Sequence, residues 1–417
     1  MRRLLQIALI LVLLPALVRV AHAEGEILTR HRTNVRDWTI RFNVYLRPDR
    51  QRKGSPVLGD EFSIPRTGFI QFESATSIFP ILAESASHET YLDRLESGAV
   101  IKGRAAARAT LHDVEGYPDE REIVYELGGV KMQDVLRFTH VYPMTCYETR
   151  IDEARAFQIE WPREAWPAEA LPYLQPQAFV ESDHADIEAL VKAWTNDRPR
   201  RAKPYYLAKF LTGRVLEYYT PTEGIYREQG LPSGGRLEST EYMSGFLLQG
   251  AAHAARERKG SKNDLVNLLV AVYRAAGIPA RLVIGMDPVE TDKNQFPVFD
   301  VWAEFALYDE AADRLEWIPV DILEQRAFSS RAPSIEIPWE FFGKNRTLDF
   351  LIPIASRWEP LREGFFSQSD PALFGWVTKP TPQWCRQEVR LLGFETPMKP
   401  GLIELEKRKE RSRPPGG

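Results

Sequence analysis

The sequence predicts an α+β protein: an N-terminal antiparallel β-sandwich, a core of helices and strands, and a loop-rich C-terminal tail. Three observations predict it. Trp38, Ile40, Phe42, Val44 and Leu46 alternate with Thr39, Arg41, Asn43 and Tyr45, the period of two of a half-buried strand. Pro162, Pro167, Pro172 and Pro176 then punctuate the chain and separate this region from helical patterns. Finally, an almost wholly apolar helix and three short strands run from Gly260 to Asp321. With 417 residues, the chain has room for two or three domains. Lys and Arg number 54 against 58 acids, so the basic bias of a dedicated nucleic-acid binder is absent. Two cysteines exclude a disulfide-rich framework.

The elements follow in order. Arg2 and Arg3, the apolar run Leu4 to Val18 and the small-x-small stretch Ala21-His22-Ala23 predict a secretory signal peptide over residues 1–23. The run is shorter than the ~20 residues that span a bilayer as a helix, and no later segment reaches that length. The expected location is therefore the periplasm or the exterior, with no membrane span in the mature chain. Residues 24–160 form the sandwich, with further strand candidates at Gly68 to Glu73, Val100 to Leu111, Glu122 to Leu127 and Val135 to Tyr142. Residues 161–177 are the Pro-rich linker. In the core domain, 178–325, helices are expected at Asp183 to Trp194 with Ser182 as cap, from Pro204 to about Tyr219, and from Tyr242 to Glu257. Residues 326–403 pack on the core, and the charged, Pro/Gly-rich 404–417 reads as disordered.

The stretch from Gly260 carries the most information. Ser261 and Asp264 form a capping box before Leu265 to Ala276, and Gly277 stops the helix. Strands follow at Arg281 to Met286, Val298 to Leu307 and Leu315 to Val320. On the second strand Asp300, Trp302 and Glu304 share one face.

Asn267-Leu268-Leu269, Tyr273 to Arg281 with its Gly-Ile-Pro-Ala-Arg, Trp302-Ala303-Glu304 and Trp317-Ile318-Pro319-Val320-Asp321 resemble, in order, the core blocks of bacterial transglutaminase-like proteins. The resemblance implies a papain-like fold and a Cys-His-Asp triad. In that triad a thiolate sits at the helix start, a His base on the second strand, and an Asp at the third strand's end orients the His. Transferred residue by residue, the Cys position is Lys262, the His position is Asp300, and only Asp321 is retained. The resemblance therefore implies a fold that has lost thiol catalysis, needs no cofactor, and serves as a protein-binding or scaffolding module whose partner is another protein of the cell envelope. Ser261, Trp302 and Glu304 are the neighbouring cleft candidates. Lys262 is expected within ~4 Å of Asp300 or Asp321 as an ion pair. The alternative is an active hydrolase or acyltransferase built around Ser261, His253 and Asp321.

Other constellations are weaker. Cys146 and Cys385 could pair in an oxidising compartment or remain two buried thiols. Asp183, His184 and Asp186 match no metal signature, so no metal is expected. Arg198, Arg200, Arg201 and Lys203 read either as a solvated turn or as a polyanion contact. The tail aromatics, Trp339, Phe341 and Phe342 among them, either pin the tail to the core or anchor a partner.

Overall fold

The strands that build and position the site are β1 (Leu28–Pro48), β2 (Ser74–Leu82), β3 (Tyr117–Gly128), β4 (Leu136–Ile151), β5 (Ala280–Asp287), β6 (Val298–Asp309), β7 (Arg314–Val320), β8 (Ile352–Ala355), β9 (Gly375–Lys379) and β10 (Cys385–Thr396). The helices are α1 (Ala185–Thr195), α2 (Pro204–Tyr218), α3 (Ala251–Glu257), α4 (Lys262–Ala275) and α5 (Ile322–Phe328). The structure is a computed structural model and describes residues 26–48, 70–71, 74–101, 104–107, 109–128, 131–132, 135–228, 243–294, 297–358, 365–366, 375–379 and 385–396. The expected leader at 1–23 and the charged end at 404–417 lie outside the described residues.

Alternation along β1 buries Trp38, Ile40 and Val44 on one face. β1 lies between β4 and β10, both antiparallel to it; Trp38 stands opposite Met144 on one side and Glu395 on the other. A second antiparallel sheet runs β9–β2–β3 and ends on a short strand, Ala109–Val114. Rings join the two sheets: Phe79 of β2 lies 5.2 Å from Phe42 and 4.5 Å from His140, and Tyr125 of β3 lies 5.0 Å from Phe138. Both sheets take strands from the C-terminal part of the chain, β10 in the first and β9 in the second.

After the Pro-rich joint, α1 forms, but its cap is His184 rather than Ser182: the imidazole Nδ1 accepts from the Asp186 amide at 3.2 Å. α2 opens on Pro204, at a position where the missing N–H costs nothing. The helix expected from Tyr242 is shorter. Met243–Phe246 instead pairs as a strand with Tyr226–Glu228, and α3 begins only after Gly250, whose φ of +99° no continuing helix accepts. α4 is the central element. Leu265 to Val272 are fully buried, and Gly277 closes the helix in the left-handed region at φ +85°.

α4 packs on an antiparallel sheet ordered β7–β6–β5–β8. Val301, Ala303, Phe305 and Leu307 of β6 belong with α4 to the main core. The opposite face of this sheet is also buried, because the N-terminal layer covers it: Trp302 and Val283 cluster with Leu82, Leu348 and Leu351. Gly285 makes this contact possible, since a Cβ there would fall 2.6 Å from the Trp302 ring. In the tail, Trp339 and Phe342 are buried against the core, with Phe342 5.4 Å from Phe305.

Candidate functional site

Ser261 caps α4. Its Oγ accepts from the Asp264 amide at 3.0 Å and donates to the Asp264 Oδ2 at 2.8 Å. Asp264 is buried and also accepts from the Gln249 and Gly250 amides at 2.8 and 2.9 Å, so it ties the segment before α3 to the start of α4. The capping box was legible in the sequence; these long-range bonds were not. Tyr219 completes the arrangement by donating to the Ser261 carbonyl at 3.0 Å.

Lys262 follows on the first turn and is exposed. Among the described residues it forms no ion pair with Asp300, Asp321 or any other carboxylate, which corrects the expected contact. The positive end of the helix repels an ammonium, and a hydrated lysine side chain loses more by entering the site than a distant carboxylate returns. The charge is nevertheless felt: Lys262 lowers the pKa of Asp300, though burial, Asp287 and Glu324 outweigh it and raise that carboxyl to about 6. Asp321 is buried at the end of β7 and caps α5, its Oδ1 accepting from the Glu324 amide at 3.0 Å. Burial raises its pKa to about 7, helped by the charges of Glu324 and Asp300. Positions 262, 300 and 321 therefore share one electrostatic neighbourhood, and its sign is acidic.

Trp302 and Glu304 are not cleft residues. Both are fully buried on the sheet face turned to the N-terminal layer. Glu304 Oε2 accepts from the Arg281 Nε and Nη2 at 2.9 and 2.8 Å, and its Oε1 accepts from the Ala86 amide at 3.0 Å. Arg281 also pairs with Asp119 and lies 4.1 Å from the Trp317 ring centroid. Three of the sequence blocks thus meet in one buried knot, in which Arg281 joins Glu304 and Trp317. The partner residues Asp119 and Ala86 carry no local sequence signal.

His253 is half-buried on α3, and among the described residues Ser261 Oγ bonds to Asp264 and not to it. Cys146 is a buried free thiol, its Sγ 3.4 Å from the Leu351 carbonyl. It stands opposite Arg36, whereas Cys385 stands opposite Pro48, twelve residues along β1. That is about 40 Å of strand, and a disulfide needs Cα atoms within ~7 Å; the bridge is therefore excluded and the thiol reading holds for Cys146. No three His, Cys, Asp or Glu side chains among the described residues are placed to hold a metal ion. A cleft of about 550 Å³ lies elsewhere, lined by Thr29, Arg150, Glu153, Trp339 and Lys344 among others.

Residues 236–322 match the family model of the transglutaminase-like superfamily, so the chain carries a transglutaminase-like domain. Among solved structures, a protein of Cytophaga hutchinsonii described as a "Putative Cysteine Protease" aligns over 89% of this chain and 94% of its own, at 12% identity and a TM-score of 0.48. A "Putative Protease" from Parabacteroides distasonis aligns over 59% of this chain and 46% of its own, at 10% identity and a TM-score of 0.22. No curated protein gave a match. No helix among the described residues is long and apolar enough to cross a membrane.

Proposed function

We propose that this is a non-catalytic transglutaminase-like protein, exported to the cell envelope, that serves as a protein-binding or scaffolding module. One observation carries the reading. The position that the resemblance gives to the thiol holds an exposed ammonium, Lys262, and the position of its base holds a carboxyl, Asp300. Neither thiol attack nor imidazole base catalysis has a group to perform it. Cys146 offers no substitute: it is buried in β4, and burial with the nearby Asp349 and Asp37 charges pushes its pKa well up, away from a reactive thiolate. The serine alternative has no support from geometry, because Ser261 spends its hydroxyl on the helix cap. We read the two N-terminal sheets as a sandwich domain that buries one face of the catalytic-type sheet and leaves the Lys262 edge as the surface open to a partner.

The test is an acyl-transfer assay on the purified chain, with a glutamine-containing peptide, a labelled amine donor and, separately, a casein substrate. No incorporation and no hydrolysis above the blank are expected, with or without iodoacetamide. Turnover that iodoacetamide blocks, or that Ser261→Ala abolishes in a folded variant, overturns the reading.

A further inference from the structure

The basic turn between α1 and α2 is unused by the reading above, and its construction is unusual. Pro199–Arg201 is a single 3-10 turn. The Trp161 indole donates to the Ala202 carbonyl at 2.7 Å and clamps the turn from below. The Arg201 amide bonds to the Arg198 carbonyl at 3.1 Å. Arg198 immediately precedes the turn and Arg201 is its last residue, so the two arginines bracket it. Arg200 leans over Trp161, 5.4 Å from the ring centroid. All three arginines are exposed, and among the described residues none has a carboxylate partner.

The nearby acids are already answered: Glu160 pairs with Lys203 at 2.7 Å, and Asp197 with Lys192 at 3.7 Å. Elsewhere the described arginines commonly find acids, as Arg30, Arg36, Arg155, Arg281 and Arg357 do. Three unanswered guanidiniums held on a clamped turn repel one another unless anions lie against them. Tyr206, three residues beyond Lys203 on the first turn of α2, is 43% exposed.

The turn is open rather than enclosed, which suits an array of headgroups better than one captured ion. A nucleic acid is held along a continuous basic track, which three arginines on one turn do not make, whereas a headgroup array need touch the molecule only there. We infer that residues 198–206 form a docking face for an anionic phospholipid surface, with Arg198, Arg200 and Arg201 on lipid phosphates and Tyr206 at the headgroup level.

The experiment compares partitioning of the full chain onto phosphatidylglycerol-containing and pure phosphatidylcholine vesicles. The readout is the change in that ratio between parent and variant, because the apolar run Leu4 to Val18 and its flanking Arg2, Arg3 and Arg19 are the same in both. Each arginine near an anionic surface adds about fivefold, so replacing all three with alanine should lower the ratio roughly a hundredfold. Replacing all three with lysine should preserve most of it. The single variants R198Q and R201Q, each expected to cost about fivefold, keep the test decisive if the triple variant does not fold. A parent chain without preference for anionic vesicles, or an alanine variant that keeps the preference, overturns the proposal. So does an arginine-dependent binding to duplex DNA that exceeds binding to the vesicles.

Discussion

Arg281 and Glu304 show what the recognisable sequence blocks do in this molecule. Arg281 is 1% exposed and Glu304 fully buried, and each satisfies the other's charge within a shell that also holds Trp317 and Asp119. Removing one partner leaves an ion uncompensated in the interior. Glu304→Ala should therefore destabilise the fold by about 3–5 kcal/mol, read as a shift of the urea midpoint. Asp300 makes the opposite demand. Its carboxyl is raised to about 6 and that of Asp321 to about 7, so the folded chain holds protons that the unfolded chain has released. Stability from these groups is fully present below about pH 4 and is lost as pH rises through 6 to 7. Asp300→Asn removes one ionisation from this site. It should gain on the order of 1–3 kcal/mol at pH 8 and almost nothing at pH 4, and equal gains at both values would show that ionisation of the half-buried Asp300 carboxyl is not the cause.

At the scale of elements, α4 was the most legible part of the sequence because its signals are local: a capping box, a periodic apolar run and a terminal glycine. Ser261→Ala removes the cap and should cost about 1–2 kcal/mol in thermal melts, whereas Lys262→Ala, one residue on, should stay within about 0.5 kcal/mol. A larger loss at Lys262 would restore the ion pair that the sequence suggested. The strands β5, β6 and β7 were read almost to their ends from apolar runs. What the sequence did not announce was that both faces of β6 are buried. Trp302 and Glu304 alternate with the core residues, and an alternating strand looks the same whether its second face meets solvent, a cleft or another layer. α3 was overextended and α5 missed for a related reason. Gly250 acts as a boundary only through its backbone angle, and α5 depends on Asp321, whose carboxylate the resemblance had already assigned to chemistry but which also caps a helix.

On the scale of the whole molecule, the N-terminal sheets are not N-terminal in sequence alone. β10 covers β1 from Asp37 to Pro48, and β9 flanks β2. The tail read as a loop-rich extension, because β9 is only five residues long and both β9 and the twelve-residue β10 find their partners hundreds of residues away. A chain ending at Trp358 would retain the whole transglutaminase-like domain yet expose an edge of β1 and an edge of β2. It should lose cooperative unfolding and aggregate, as followed by size exclusion and near-ultraviolet circular dichroism. A truncated chain that stays monomeric with a sharp transition would show that the two tail strands are dispensable.

The pairing of β1 with β10 also sets the order in which this protein can come into being. Trp38 and Glu395 are 357 residues apart in the chain and neighbours in the sheet. At ~5–20 residues per second, roughly 20–70 s of synthesis separate the two strands. Throughout that interval β1, the longest strand among the described residues, has one side without its partner, and of its two described neighbours β4, itself about a hundred residues downstream, is the one made first. A strand made early is thus among the last to be finished, and a cell that makes this protein must keep a half-paired β1 from meeting its copies until β10 arrives.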